Sequence, residues 1–295
     1  MLGGVLNLYK PVGMTSRALV ERVGRILGTK AGHTGTLDPF ARGVVLVCFG
    51  KTTRLVSFFQ ELDKVYRARI RFGIATDTYD VKGNITAVST KPLVKEALFE
   101  AIQDFQGTFV QEVPPFSACK YRGRPLYEYA RRGERITLTR EVTVYRLEVL
   151  SCREGVFGEA ELLIHCSGGT YVRSLAHDLG KRLGLGAYVT SLLRERVGTF
   201  RVEESISVVR KDIDRQFLLE QAVPPDKALY FLRGVEVGEE EARLFLHGTP
   251  FVLPVDLSGP SLIKVLHEGA FLGLAFWDTS KILPKIVLAE SCHVS

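Results

Sequence analysis

The segment GHTGTLDPFARG, residues 32–43, places a carboxylate in an irregular stretch with three glycines. An aspartate in such a loop most often closes a turn or caps a helix. The continuous apolar run VVLVCF, residues 44–49, follows it and predicts a buried strand. Because rigid loops at strand ends are favoured places for catalytic groups, Asp38 is a candidate catalytic carboxylate.

A second candidate is Arg173, which follows the turn SGGT and lies in the first turn of a predicted helix. A surface helix with local ion pairs is the ordinary explanation for such a residue, with His177 and Asp178 close by in sequence. A positive side chain in the first helical turn, however, opposes the helix macrodipole. Arg173 therefore needs a negative partner, and we expect a carboxylate from elsewhere in the chain.

The run KVYRARIRFG, residues 64–73, alternates between apolar and basic side chains. Alternation with a period of two predicts a strand with one face buried. Tyr66, Ala68, Ile70 and Phe72 share that apolar face, so Tyr66 stands at the head of the strand.

Basic side chains concentrate in CKYRGRPLYEYARRGER, residues 119–135, which holds six basic and two acidic residues. A solvated helix face is one explanation. Basic residues interleaved with tyrosines after a glycine-containing entry also suit a groove for a nucleic-acid backbone. The whole chain carries a net charge of +6, but residues 231–295 carry −3 and residues 1–230 carry +9. We expect a polyanion to bind mainly the first part.

Several other classes of site lack their motifs. GKTT, residues 50–53, has Val45 where a phosphate-binding loop needs glycine, and LDPFA does not supply the D-x-D-x-T of an aspartyl phosphatase. DTYDVKG, residues 77–83, lacks calcium-loop spacing and is interpreted as a solvated turn. Five scattered cysteines without a C-x-x-C pair predict neither a zinc site nor disulfides. No apolar run is long enough for a membrane helix and no signal peptide is evident, so we expect a cytoplasmic protein with no membrane partner.

The elements that must position these side chains are predicted from periodicity. Residues 4–9 predict a strand, and Thr15 caps a helix that Gly28 ends. Further helices are expected around Leu98–Phe105 and from residue 172, and neighbouring strands in EVTVYRLEVLSC and EAELLIHC. AVPPDK, residues 222–227, is predicted to be a linker to a small β-rich tail that begins with a short helix at residues 239–247.

Together these segments resemble the TruB type of tRNA pseudouridine synthase. Five ordered motifs and the tail carry the resemblance: NLYKPVGMTS, GHTGTLDPFARGVVLVCFGKTTRL, KVYRARIRFGIATDTYDVKGNI, VPPFSACKYRGRPLYEYARRG, HCSGGTYVRSLAHDLGKRLG and the segment from ALYFLRG onward. It implies an α+β fold with a mixed, largely antiparallel sheet and flanking helices over residues 1–228. Residues 229–295 would form a PUA-like domain.

The resemblance also implies roles for single residues. Asp38 matches the catalytic aspartate, Arg173 the arginine paired with it, and Tyr66 the tyrosine packed against the flipped uracil. His33 matches the histidine that stacks into the T loop where the target base has left. Tyr171 and Leu192 match positions that line the uridine pocket. The density of basic charge, rather than the resemblance, makes Lys120, Arg122 and Arg124 expected contacts with RNA.

The implied activity is the conversion of uridine 55 in the T stem-loop of tRNA to pseudouridine by a monomer without metal or cofactor. The reaction breaks the N1–C1′ bond, rotates the base and rejoins it through C5, and it is redox-neutral. The sequence leaves open whether the aspartate acts at C1′, at C6 or on the C2′ proton. The alternative function is a non-catalytic RNA-binding or RNA-chaperone protein that uses the same groove.

Overall fold

A computed structural model describes residues 3–209, 213–253 and 259–289. The strands are β1 (Gly3–Lys10), β2 (Ala31–His33), β3 (Arg42–Gly50), β4 (Lys64–Phe72), β5 (Ile74–Thr76), β6 (Ile85–Val88), β7 (Gly107–Glu112), β8 (Lys120–Tyr121), β9 (Arg124–Pro125), β10 (Thr139–Arg153), β11 (Glu159–Cys166), β12 (Ala187–Val197), β13 (Phe200–Arg201), β14 (Arg233–Glu236), β15 (Ser261–His267), β16 (Ala270–Trp277) and β17 (Ile282–Val287). The helices are α1 (Ser16–Leu27), α2 (Val56–Gln60), α3 (Lys95–Ala101), α4 (Leu126–Ala130), α5 (Val172–Arg182), α6 (Arg215–Glu220), α7 (Pro225–Ala228) and α8 (Glu239–Leu246).

A nine-stranded sheet forms the centre of the molecule, with the strand order β1-β3-β12-β4-β11-β10-β7 and with β2 and β13 at its side. Among the described residues, the β12–β3 pair is the only parallel pair of strands in this sheet. Helices α1 and α5 bury their apolar stripes against one face of it. The predicted α+β class with a mixed, largely antiparallel sheet is confirmed.

Most of the predicted elements of this sheet form as expected. The Thr15 hydroxyl accepts a hydrogen bond from the amide of Ala18 and caps α1, and Gly28 ends that helix in the left-handed conformation. Tyr66 and Phe72 lie on the buried face of β4, whereas Arg67 points outward. The long strand β12 was not predicted from the sequence pattern, and neither were β7 and the short strands β2 and β13.

The two bulges of β12 explain why its pattern is hard to recognise. Its register against β4 shifts between Val189 and Ser191 and again between Arg194 and Arg196. Each extra residue reverses which side chains face the core, so the apolar positions do not alternate. Two arginines in the strand also give it the composition of an exposed segment.

A second sheet of four strands, in the order β14-β15-β16-β17, contains the short β-runs predicted for the tail. Its residues Phe271 and Leu274 share one apolar cluster with Val5 and Val44 of the large sheet. The boundary between domains at residues 228 and 229 stays a prediction, because this core is common to both parts.

The predicted linker at residues 222–227 is wrong as a description of local structure. Val223 exchanges two backbone hydrogen bonds with Val5 of β1, at 2.9 and 2.8 Å. Pro225 and Ala228 are buried in α7. Paired prolines indicated a loop, but here Pro225 begins a short helix, where its missing N–H has no intrahelical acceptor to lose. Within the described residues, no helix is both long and apolar enough to cross a bilayer.

Candidate active site

Two residues of the N-terminal segment, Lys10 and Ser16, hold the Asp38 loop in place through hydrogen bonds. The Ser16 hydroxyl accepts a hydrogen bond from the amide of Leu37 at 2.9 Å and donates one to its carbonyl at 3.1 Å. The buried Lys10 ammonium donates to the carbonyl of Ala41 at 2.6 Å. These bonds hold the backbone on both sides of Asp38, so the carboxylate has a defined position despite the irregular conformation.

Asp38 and Arg173 form a bidentate pair. Arg173 donates from Nε to Oδ2 of Asp38 at 2.8 Å and from Nη2 to Oδ1 at 3.1 Å. The arginine side chain is 4% exposed, whereas the aspartate is 29% exposed. Two parallel charge-assisted bonds fix the plane of the carboxylate as well as its distance. The buried arginine thereby presents Asp38 to solvent in one orientation.

The remaining hydrogen bonds of Arg173 come from segments far away in sequence. Its Nη1 donates to the carbonyl of Thr78 at 3.0 Å, and its Nη2 donates to the carbonyl of Phe116 at 3.1 Å. The carboxylate of Asp80 lies 3.6 Å from Nη1. The guanidinium thus donates four hydrogen bonds and has a second carboxylate nearby, which together lock the side chain.

Asp80 belongs to DTYDVKG, so the interpretation of that segment as a solvated turn is wrong. The side chain of Asp80 is buried, and this burial raises the pKa of its carboxyl. Its neighbour Tyr79 has a φ of 63° and stacks on the His177 ring at 3.8 Å. A buried second carboxylate beside Arg173 had no local signal in the sequence, because 92 residues separate the two.

A cavity of about 520 Å³ opens beside the Asp38–Arg173 pair. Tyr66 of β4 and both Leu192 and Arg194 of β12 line it, and all three are buried. Burial raises the pKa of the Tyr66 phenol, which favours its neutral form. Sequence reasoning did not single out Arg194.

Tyr171 lines the same cavity from the start of α5. The buried amide of Gln111 accepts a hydrogen bond from the Tyr171 amide at 2.8 Å and donates one to its carbonyl at 3.1 Å. The guanidinium of Arg140 lies 5.6 Å from the centre of the Tyr171 ring. Gln111 therefore holds the backbone of Tyr171, and the Arg140 cation lies over its ring.

His33 lies at the end of β2, one residue before Thr34, which lines the cavity. Burial, followed by the charge of Arg194, lowers the pKa of its imidazole, and its Nδ1 is buried without a hydrogen-bond partner. The structure thus places His33 at the edge of the cavity rather than on its lining.

Lys120, Arg122 and Arg124 lie on the β8–β9 hairpin, and all three are exposed. They do not line the cavity, but Cys119, directly before them, does. The hairpin therefore flanks the opening of the cavity. Within residues 3–209, 213–253 and 259–289, no group of three or more His, Cys, Asp or Glu side chains is arranged to hold a metal ion.

Comparison with known proteins gives consistent relatives. Residues 24–172 match the family described as TruB family pseudouridylate synthase (N terminal domain). A tRNA pseudouridine synthase B of Aquifex aeolicus (strain VF5) is 38% identical over 292 residues, which cover 97% of this chain and 100% of the relative. The protein of the same name from Chromohalobacter salexigens is 39% identical over 294 residues, covering 97% and 94%.

Solved structures show the same architecture. A chain of the Cbf5–Nop10–Gar1 complex superposes with a TM-score of 0.72 at 25% identity, covering 97% of this chain and 85% of the other. A chain of an H/ACA RNP bound to a substrate RNA that contains 2′-deoxyuridine gives 0.73 at 22% identity, covering 98% and 86%. At that identity, the second likeness concerns the fold alone.

Proposed function

Because this chain belongs to the TruB family of pseudouridylate synthases, we propose that it converts uridine to pseudouridine in tRNA, at position 55 of the T loop. The observation that carries the proposal is the Asp38–Arg173 pair beside a cavity lined by Tyr66. Relatives with the name tRNA pseudouridine synthase B support tRNA as the substrate.

The chemistry assigned to this site is an isomerisation. The N1–C1′ bond of uridine breaks, the base rotates, and a new bond joins C5 to C1′. C5 loses its proton and N1 gains one, so atoms and charge balance without a co-reactant. Asp38 is the group that starts the reaction, and the alternatives of attack at C1′, attack at C6 and removal of the C2′ proton remain open.

The target nucleotide must leave its stack to reach Asp38, at a cost of a few kcal/mol. A cavity of about 520 Å³ lies within the range typical of small-ligand sites. In our proposal Tyr66, Leu192 and Tyr171 hold the uracil, and His33 at the cavity edge fills the gap in the RNA. The basic β8–β9 hairpin binds phosphates beside the opening.

The alternative function is an RNA-binding or RNA-chaperone protein without catalysis. The Asp38–Arg173 arrangement argues against this alternative. A carboxylate at the binding cavity repels a polyanion, so a protein that only binds RNA would gain no affinity from it. We retain a catalytic domain of residues 1–228, a PUA-like domain of residues 229–295, a monomeric state and a cytoplasmic location as proposals.

Incubation with unmodified tRNA and site-resolved detection of pseudouridine tests the function. We expect stoichiometric pseudouridine at position 55 and none in a tRNA whose uridine 55 is replaced by cytidine. Binding without product would favour the chaperone alternative. Product at another uridine would leave the activity intact and refute the position.

A further inference from the structure

Arg194 is a buried arginine whose environment differs from that of Arg173. It is 3% exposed and lies on β12 at the cavity wall. Its Nε donates to the carbonyl of Val44 at 2.6 Å and its Nη2 to the carbonyl of Gly35 at 3.2 Å. Among the described residues, no carboxylate lies within ion-pair distance of it.

A buried cation without a counter-ion is costly to desolvate, so its retention requires a compensating role. The two carbonyls satisfy part of the guanidinium but do not require a positive charge, since neutral donors also bond to carbonyls. The charge of Arg194 acts on two neighbouring groups. Burial is the larger cause of the low pKa of His33 and of the pKa of about 8 for Lys64, and the charge of Arg194 is the second cause in both.

Tyr66 is the cavity-lining residue that lies opposite Arg194 on the neighbouring strand. The two residues are register partners on the adjacent strands β12 and β4, and both line the cavity. Burial raises the pKa of the Tyr66 phenol overall, and the charge of Arg194 opposes this by favouring the phenolate. A cation beside a buried phenol stabilises the anion that forms when the phenol loses its proton.

We propose that Arg194 is a positioning residue for Tyr66, which orients the phenol hydroxyl and stabilises its transient phenolate during proton transfer. This inference rests on the proposed function. After the N1–C1′ bond has broken, Tyr66 donates its proton to N1. Once the base has rotated and C5 has bonded to C1′, the phenolate takes the proton that leaves C5. The phenol is restored at the end of the cycle, and no net proton is consumed.

The test combines Arg194→Gln and Arg194→Lys with Tyr66→Phe in the full chain. We expect Arg194→Gln to lower kcat on tRNA about 30-fold, the loss expected of one hydrogen bond between charged partners. In the Tyr66→Phe background the same change should cost less than about threefold, because the two residues act as one unit. Equal losses in both backgrounds would refute the inference.

A second measurement is independent of turnover. In protein labelled with ¹³C at the ring carbon that bears the tyrosine hydroxyl, the Tyr66 resonance is assigned by its loss in Tyr66→Phe. We expect its titration midpoint to rise in Arg194→Gln and to rise less in Arg194→Lys, which restores the charge. An unchanged midpoint in both variants would overturn the inference, even if the wild type proved inactive on tRNA.

A matched control lies two residues along the same strand. Arg196 contacts Asp63 and His165 on the outer face of the sheet, away from the cavity. Arg196→Gln should leave kcat and the Tyr66 titration unchanged. If Arg194→Gln does not fold, the neutral variant Arg194→Met, which fills similar space without a charge, carries both measurements. An unchanged Tyr66 titration in that variant refutes the inference.

Discussion

The two faces of the central sheet use arginine in opposite ways. On the outer face, alternate residues of β4 form ion pairs with glutamates of the neighbouring strands, namely Arg67 with Glu195 at 2.7 Å, Arg69 with Glu161 at 3.2 Å and Arg71 with Glu159 at 3.7 Å. On the inner face, Arg173 pairs with Asp38 at 2.8 Å and is almost fully buried.

The difference lies in access to water rather than in the chemistry of the pair. Exposed pairs contribute a median of about 0–1 kcal/mol, because water and salt screen them. Removing one partner of a buried pair leaves an uncompensated charge and costs about 3–5 kcal/mol. The outer pairs therefore keep the sheet face polar, whereas the inner pair constrains the carboxylate of Asp38 at the cavity.

Asp38→Asn is the change with the largest expected effect. It keeps the shape of the side chain but removes its charge, and we expect at least about a thousandfold loss of turnover, equivalent to about 4 kcal/mol of transition-state stabilisation. The affinity for tRNA should stay within about tenfold. Glu195→Gln on the outer face is the matched control and should retain full turnover. Near-normal turnover by Asp38→Asn would show that the Asp38 carboxylate has no catalytic role.

Tyr66 ranks second because its ring and its hydroxyl can be removed separately. Tyr66→Leu loses both, and we expect about a hundredfold loss of turnover, since base–aromatic stacking alone contributes about 1–3 kcal/mol. Tyr66→Phe should retain stacking and lose proton transfer. Single-turnover rates on one tRNA measure both. A fully active Phe variant would exclude the proton role, and a fully active Leu variant would exclude stacking as well.

The sequence was most informative where a residue and its partners are close in the chain. The alternating pattern of β4 correctly placed Tyr66, and the cap at Thr15 and the end at Gly28 correctly bounded α1. For Arg173, its place in the first helical turn indicated the need for a carboxylate. The identity of that carboxylate came only from the resemblance, because Asp38 lies 135 residues away.

Asp80 and Arg194 show what the sequence pattern could not supply. In the sequence, both have the charged neighbours that are typical of surface residues. In the structure, both are buried by segments that are distant in the chain. In β12 the bulges break the alternation that would have shown which side of the strand Arg194 faces. Burial of a polar residue depends on tertiary packing, so it leaves little trace in local periodicity.

The β8–β9 hairpin offers a third use of basic residues, exposed and free to meet phosphates. Neutralising Lys120, Arg122 and Arg124 together should weaken tRNA binding about tenfold at low salt and flatten the dependence of affinity on salt, because each lost phosphate contact changes the log–log slope by roughly 0.7–0.9. The matched control neutralises three exposed residues of the acidic tail, Arg243, Lys281 and Lys285. A larger change in the control would place the RNA on the tail.

The pH dependence of stability tests the half-buried environment of His177 on the inner face of the sheet. Burial, followed by the charges of Lys181 and Arg135, lowers the pKa of its imidazole to about 4. Between pH 6.5 and 4, the unfolded chain therefore binds a proton that the folded protein does not, and falling pH destabilises the fold. Allowing for partial solvent access, we expect a loss of about 1 kcal/mol across this window.

His177→Phe keeps a ring against Tyr79 without a titrating group. Urea unfolding at neutral pH and near pH 4.5 should show a smaller acid-induced loss for this variant than for the wild type. Equal losses would mean that the stacked imidazole is protonated in the folded protein as easily as in the unfolded chain.

Removing the outer Arg67–Glu195 pair should give the smallest effect. The coupling free energy of this pair tests whether ion pairs on the outer face contribute less than the buried Asp38–Arg173 pair. The two side chains are 43% and 23% exposed. A double-mutant cycle with Arg67→Gln and Glu195→Gln should give a coupling free energy of about 0.2–1 kcal/mol in urea unfolding at low salt. At 1 M NaCl the coupling should fall further, because the Debye length shortens to about 3 Å. A salt-independent coupling above about 2 kcal/mol would show that the outer pair behaves as a buried one, and that the two faces do not differ in the way that their exposure indicates.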